Sequence, residues 1–311
     1  MATYEIRATR ENLHGTFSRE IPPILEIEPG DTVIFETLDA GWGLEPMRED
    51  GGERRCFEPR DEVRDAGHAL CGPIAVRGAK PGDTLAIRVD ELRTGTFGFN
   101  AAGGPNPTRA EPFGLSADER LIVRWTLDRE KMIATNHFGH TVAMRPFLGV
   151  MGLPPAEPGH HSTAPPRATG GNLDCKELIP GTTLYLPVAV EGGLFSTGDG
   201  HAAQGDGELS GTAIECPMEC AVLTFDLISG VSHPTPRAWT PEAWITFGMD
   251  EDLDAAMYQA TNAMLDLLME MHGVERPVAL ALASVAVDLR VTQVVNGVKG
   301  VHAMLPHGAI R

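Results

Sequence analysis

Leu184-Tyr-Leu-Pro-Val-Ala-Val190, Gly198-Asp-Gly-His-Ala-Ala-Gln-Gly-Asp-Gly-Glu208 and Gly211-Thr-Ala-Ile-Glu215 read in succession as a strand, a glycine-laced turn and a second, neighbouring strand. Together with Asn172-Leu-Asp-Cys-Lys176 upstream, these motifs place five carboxylates and one histidine between apolar runs, where a strand-rich chain should be building core. Carboxylates crowded at strand ends repel one another and lose hydration unless a cation sits among them. In an extended segment Asp199 and His201 face the same way, and so do Asp206 and Glu208. Hard oxygen donors with one imidazole suit Zn²⁺ or another divalent ion with an open position, whereas an all-oxygen set would suit Ca²⁺ or Mg²⁺. The histidine favours zinc. A single Asp-Gly pair signals only a turn; the whole set points to a metal site.

Around this segment the chain reads as mainly β. Its 35 glycines and 24 prolines break the sequence into short pieces, and helix-length periodic segments are scarce. A turn-then-strand pattern recurs at Glu28-Pro-Gly-Asp-Thr-Val-Ile-Phe-Glu36, Lys80-Pro-Gly-Asp-Thr-Leu-Ala-Ile-Arg88 and Ile179-Pro-Gly-Thr-Thr-Leu-Tyr-Leu-Pro187. One helix is clear from Leu253 onward. Leu253, Met257, Ala260, Met264, Leu267, Leu268 and Met271 step by three and four, with Asp250 or Asp252 to cap the start and Gly273 to end it. A shorter helix follows Pro277 through Ala286, and then a hairpin from Arg290–Val295 to Lys299–Leu305 across Asn296-Gly297. The C-terminal third is therefore α+β. Three stretches, 101–118, 153–171 and 229–241, are too rich in Pro and Gly for regular elements. They leave β-rich lobes over roughly 1–105 and 119–150, a β-rich acidic site region over 172–228, and an α+β lobe over 242–311, in one 311-residue unit. The stretch 153–171 feeds directly into Asn172 and Asp174, as a functional cover would.

Composition excludes some function classes. With 25 Lys plus Arg against 43 Asp plus Glu, a net charge of -18, the chain lacks the basic face that nucleic acid needs. No run approaches the ~18 apolar residues of a membrane helix, and the opening Met1-Ala-Thr-Tyr-Glu-Ile-Arg7 carries no signal core, so the expected location is cytoplasmic. Five cysteines, an odd number without metal-finger spacing, fit reduced and mostly buried thiols.

The run Gly170-Gly-Asn-Leu-Asp-Cys-Lys176, Leu186-Pro-Val188, Gly193 through Glu208 and Gly211-Thr-Ala-Ile-Glu215 resembles the signature of the bacterial acetamidase/formamidase family. The similarity extends to Phe35-Glu-Thr-Leu-Asp-Ala40, Gly72-Pro-Ile74, His137-Phe-Gly-His140, Pro146-Phe-Leu-Gly-Val-Met-Gly152 and Gln293-Val-Val-Asn-Gly-Val-Lys-Gly-Val-His302. The resemblance implies hydrolysis of a short aliphatic amide, formamide or acetamide, to acid and ammonia. It also implies jelly-roll-like β-sandwich and β-barrel-like parts with a smaller C-terminal α/β lobe, a divalent metal, and a homodimer or higher homo-oligomer.

Amide chemistry then suggests roles. A metal can supply hydroxide by lowering the pKa of a bound water to about 7 while a carboxylate shuttles the proton. Asp174, Asp199 and His201 are the expected ligands, Glu215 a further or second-site ligand, and Glu208 the general base and then acid. Asn172 and Gln204 could hold the amide, and His137 could line the pocket; Asp206, His140 and His302 are left open. The rival is covalent catalysis by Cys175, disfavoured by the acids around it, which raise its thiol pKa. Ser196 lacks a Gly-x-Ser-x-Gly elbow. Two other functions remain: hydrolysis of another small amide, or a non-catalytic metal- or carbohydrate-binding β protein.

Overall fold

A computed structural model describes residues 1–104, 106, 110–116 and 118–311. Two large sheets face each other. One has nine strands, in the order Thr3–Ile6, Thr32–Phe35, Met218–Ile228, Thr84–Thr94, Thr183–Pro187, Arg237–Trp239, Ala243–Asp250, Lys299–Pro306 and Asp288–Gln293. The second has eleven. It runs from Thr141–Ala143 through Ile133–Asn136, Arg120–Asp128, Phe97–Gly103, Glu215–Cys216, Phe195–His201 and Phe147–Gly152 to Gly170–Asn172. Leu70–Val76 joins it beside Phe195–His201, flanked by Leu13–His14 and Leu25–Ile27. The core lies between them: Phe195 of the second sheet meets Phe35 and Phe225 of the first edge to face, at 6.3 and 5.0 Å between ring centroids. The expected mainly β sandwich with a C-terminal α+β part is what forms. The barrel-like part does not, because among the described residues neither sheet closes on itself.

The three turn-then-strand units deliver Thr32–Phe35, Thr84–Thr94 and Thr183–Pro187 into the same sheet, the last two as neighbours with Leu184 opposite Ile87. In the first two units the aspartate side chain accepts the backbone N–H three residues back, Asp31 from Glu28 and Asp83 from Lys80, which closes the turn. Local chemistry therefore explains the echo.

Helix α1 spans Leu253–His272, with Asp252 accepting the N–H of Ala255 at its start and Gly273 in the left-handed conformation at its end. Its buried residues Ala256, Ala260, Met264 and Leu268 pack on Val301, Ala303 and Leu305 of the strand Lys299–Pro306, while Met271 lies beyond that contact and is exposed. Helix α2 spans Arg276–Ala286, with Pro277 in its first turn. The hairpin forms, but Asn296-Gly297 is no two-residue turn: the strands end at Gln293 and resume at Lys299. Buried Gln293 shapes the longer loop, accepting the N–H groups of Val295 and Asn296 and donating to the carbonyl of Val298.

All three irregular stretches contain regular structure: in the first, the strand Phe97–Gly103 continues as far as Gly103 and Glu111–Phe113 forms a short 3-10 turn. Arg237–Trp239 is a strand inside the third, and His161–Ser162 in the second pairs with Thr16–Phe17. Residues 105, 107–109 and 117 of the first lie outside the described residues. Among the described residues no helix is long and apolar enough to cross a membrane.

Candidate active site

Sheet register builds the site. Asp199 and His201 stand on the fully buried strand Phe195–His201, not in a turn, and the neighbouring strand puts Glu215 directly opposite His201. Of the run Leu184–Val190, expected beside them, Leu184–Pro187 belongs to a strand of the other sheet and the rest is not strand. The apolar Leu194-Phe195 start carries Gly198 and Gly200 into the interior, where each is glycine for lack of space. A Cβ on Gly198 would sit 2.3 Å from the carbonyl oxygen of Ala69. On the other side, Phe147–Gly152 pairs with Phe195–His201 and with Gly170–Asn172, which ends at Asn172 and leads into Asp174. Glu208 arrives on a turn clamped by the C-terminal lobe, since Gly207 donates to the Thr292 carbonyl and accepts from Val294.

Three of the site carboxylates, Asp174, Asp199 and Glu208, have positive φ angles of 49°, 58° and 48°, a region costly for residues other than glycine. The fold holds these acids in place against a backbone preference. Their floor is Gly149. A Cβ there would lie 2.5 Å from Asp199 Oδ2, 2.8 Å from Asp174 Oδ1 and 2.9 Å from His201 Cε1.

The side chains converge without satisfying one another. His201 Nε2 is 3.3 Å from both Asp199 Oδ1 and Glu215 Oε2, yet it is buried without an aligned hydrogen bond, as are Asp174 Oδ1, Glu215 Oε2 and Asn172 Oδ1. Gln204 fixes the histidine tautomer. Its amide N–H donates to the Asp174 carbonyl at 2.8 Å, so its oxygen faces His201 Nδ1 at 3.0 Å and that nitrogen carries the proton. A neutral His201 therefore turns the Nε2 lone pair towards Asp199 and Glu215. Asp174, His201 and Glu208 can bring donor atoms within 4.8 Å of one another, and so can Asp199, His201 and Glu215. Orphaned acceptors, a floor with no room for a methyl group and a carboxylate–imidazole donor set all fit a divalent cation.

Electrostatics agree. Burial, with repulsion from Glu208, lifts the Asp174 carboxyl well above the ordinary range, and burial lifts Glu215 to about 8 against the pull of His201. Burial would also raise Asp199, but His201 and His68 outweigh it and hold that carboxyl low. For His201, burial favours the neutral ring, and Glu215 with Asp199 reverse this and hold its proton well above the usual value. Without a metal, that proton is the positive charge among the four acids.

The structure thus brings Asn172, Asp174, Asp199, His201, Glu208 and Glu215 around one pocket of about 100 Å³. Gln204 stands behind it, both ends of its amide engaged in orienting His201 and the Asp174 loop. His137 does not reach the pocket; it is exposed with His140 on the turn between Ile133–Asn136 and Thr141–Ala143. Asp206 points away, towards Lys176 at 3.0 Å. Four lining residues escaped sequence reading: His68, Asn296, Ala40 and Phe99. Asn296 donates to Asp174 Oδ2 at 2.7 Å. His68 is held by Thr163, whose hydroxyl accepts its backbone N–H and lies 2.7 Å from Nδ1. The stretch 153–171 touches the site through Thr163 and through the Ala164 carbonyl, which holds the Asn172 amide. Ala40 and Asn296 stand in the stretches Phe35–Ala40 and Gln293–His302 that carry the resemblance, and Asn296-Gly297 also read as a turn, but neither residue was legible as pocket lining.

Neither covalent nucleophile is placed to act. Cys175 is fully buried outside the pocket lining, and burial with nearby Glu177 pushes its thiol well above the usual range. Ser196 does have a base: His14 Nδ1 faces the Thr16 carbonyl at 2.8 Å and so carries a proton, leaving Nε2 to accept from Ser196 Oγ at 2.9 Å. That pair is also buried and outside the pocket. Burial pushes His14 down to about 4. A histidine lowered in the folded state contributes stability above its unfolded pKa of about 6.5, and loses it as pH falls towards 4. His14→Gln, which keeps an acceptor for Ser196, should therefore flatten stability against pH in denaturant titrations between about pH 6.5 and 4. An unchanged slope there would remove His14 as a source of acid lability.

The chain matches the Acetamidase/Formamidase family over residues 2–162 and 159–308. It is 29% identical over 254 residues to a formamidase of Methylophilus methylotrophus, covering 64% of this chain and 60% of that protein. It is 26% identical over 257 residues to an acetamidase of Mycolicibacterium smegmatis, covering 63% and 61%. The chain thus spans about three fifths of the length of these two curated relatives. The crystal structure of an acetamidase from Bacillus halodurans superposes with a TM-score of 0.82 at 30% identity, covering 97% of each chain. The family match runs over nearly the whole chain, and the chain belongs to the acetamidase/formamidase family.

Proposed function

We propose that the chain hydrolyses a short linear amide, of the formamide or acetamide class, to carboxylic acid and ammonia, and that Asp174, Asp199, His201 and Glu215 hold a divalent metal, zinc by preference. The observation that carries this reading is the convergence of unsatisfied carboxylate and imidazole atoms on a pocket of about 100 Å³. Such a pocket has room for about three waters at ~30 Å³ each, hence for a substrate of few heavy atoms. When bound, the ion supplies a Lewis acid and a water of lowered pKa.

The chain's own residues do the rest. Glu208 takes a proton from the attacking water and returns it to the departing nitrogen, which leaves as ammonia. The orphaned Asn172 Oδ1 accepts from the substrate NH₂ group. His68, held from behind by Thr163, donates to the amide carbonyl. Ala40 and Phe99 are the apolar lining and face the acyl group. An extra methylene that must find room there costs about 1 to 3 kcal/mol, so short acyl chains are preferred.

Ammonia release from formamide, acetamide and propionamide is expected from zinc-loaded protein, falling with chain length, lost on chelation and restored by zinc. A metal-loaded protein inert to all three would overturn the reading. Thr163→Val should lower kcat/KM about tenfold through the lost anchor of His68, with folding intact; unaltered kinetics would leave His68 a bystander on the rim.

The same reading makes the protein cytoplasmic and a homodimer or higher homo-oligomer. All five cysteines are free, as in a reducing compartment. The exposed Leu280 of α2, Tyr258 of α1 and Leu289 of the edge strand Asp288–Gln293 line one largely apolar groove, a face for self-association. A monomer by light scattering would refute the assembly.

A further inference from the structure

A second cluster of ligand-type side chains lies one residue along the chain from Asp174, and the proposed reaction does not use it. Cys175 and Glu177 come from the loop after Gly170–Asn172, and His302 from the C-terminal strand Lys299–Pro306; all three are buried. Glu177 Oε2 is 3.4 Å from Cys175 Sγ and 3.5 Å from His302 Nε2, and the three donor atoms lie within 4.8 Å of one another. Ligand atoms around a tetrahedral zinc, with bonds of about 2.0 to 2.3 Å, stand about 3.3 to 3.6 Å apart.

The second observation is an unpartnered nitrogen. His302 is fully buried, and its Nε2 has no hydrogen bond. Its Nδ1 is held by Thr292 Oγ1 at 2.7 Å, so the ring is oriented from behind and Nε2 is presented to Glu177. Glu177 is oriented likewise: Arg290 binds Oε1 at 3.1 Å and leaves Oε2 facing the thiol and the imidazole. Hydrogen bonding alone satisfies the thiol, which donates to Glu177, but not the imidazole.

We propose that Cys175, Glu177 and His302 form a second metal site, distinct from the pocket, for a thiolate-preferring divalent ion of the zinc class. Binding would release the thiol proton to solvent. Thiolate, carboxylate and a doubly charged ion then sum to zero, which lets the set stay buried. The ion would tie the loop carrying Asp174 to the strand 127 residues later and fix that loop where it enters the pocket. This site stands whether or not the chain is an amidase.

Cobalt is the probe. Full-length protein stripped by chelator and reloaded with Co²⁺ alone should show a near-ultraviolet thiolate-to-cobalt band and one more bound ion per chain than Cys175→Ser. The band should vanish in Cys175→Ser, weaken at least tenfold in apparent cobalt affinity in His302→Gln, and persist in His201→Ala, which disturbs only the pocket. Cobalt bound to the wild type without the band, or a band that survives Cys175→Ser, would overturn the proposal. Should Cys175→Ser fail to fold, the wild-type spectrum and His302→Gln still decide: an undiminished band in His302→Gln refutes the site. Loss of amide turnover with the band intact would count against the pocket reading alone.

Discussion

Gly149→Ala should leave a folded protein that no longer retains metal in the pocket and no longer turns over small amides. The residue has an ordinary φ, so alanine meets no backbone penalty there, and the whole effect comes from where its methyl group goes. That methyl would stand 2.5 Å from Asp199 Oδ2 and 2.8 Å from Asp174 Oδ1, inside contact distance of two proposed ligands. Neither carboxylate can swing aside freely. Asp174 is fixed at positive φ, tied through its N–H to the Gly149 carbonyl at 3.2 Å, and held at Oδ2 by Asn296. Asp199 sits at positive φ in the middle of a buried strand. Overpacking should cost about 1 to 3 kcal/mol of stability, whereas metal affinity should fall by about 10² or more, because ligand geometry tolerates little displacement. Elemental analysis and ammonia release measure the two effects together. A Gly149→Ala protein that keeps both metal and turnover would show that the ion is not seated on this floor.

How much of this site could be read from the chain depended on whether a residue's role is local. Asp252, Gly273 and the step of apolar residues between them define α1 within its own 20 residues, so its ends are legible. Asp174, Asp199, His201, Glu208 and Glu215 stand out because acids in glycine-rich strand ends contradict core building, a conflict visible in sequence. The strand order did not follow from the same stretch. Leu184 and Gly211 are close in sequence, but pairing placed the first against Ile87 and drew Phe195–His201 beside Glu215. Gly149, Thr163, His68 and Asn296 were not legible as site residues for the same reason: each acts through a partner at least 25 residues away, and although Gly149, Thr163 and Asn296 lie in stretches that stand out in the sequence, nothing local says which side chain or backbone position there reaches the site. His137 shows the converse, a histidine in a matched motif that register leaves on an exposed turn.

Glu208→Gln should lower kcat by about 10² to 10⁴ while the protein keeps its metal, its fold and a KM within a few-fold of wild type. The side chain is close to isosteric, so the turn clamped by Thr292 and Val294 should persist, and what is lost is the ability to accept and return a proton. Amide hydrolysis requires both transfers, since nitrogen departs as ammonia only after it is protonated. Glu208 is suited to them by position: its backbone is held at positive φ, and its carboxylate can share a 4.8 Å neighbourhood with Asp174 and His201. That proximity also admits a competing role as a ligand, and metal content separates the two. A proton carrier leaves the metal stoichiometry of Glu208→Gln at the wild-type value and removes turnover. A ligand loses metal and turnover together, as Asp174→Asn and His201→Ala should. Turnover that survives in metal-loaded Glu208→Gln would hand proton transfer to another group, of which His68, the pocket's other histidine, is the next to test.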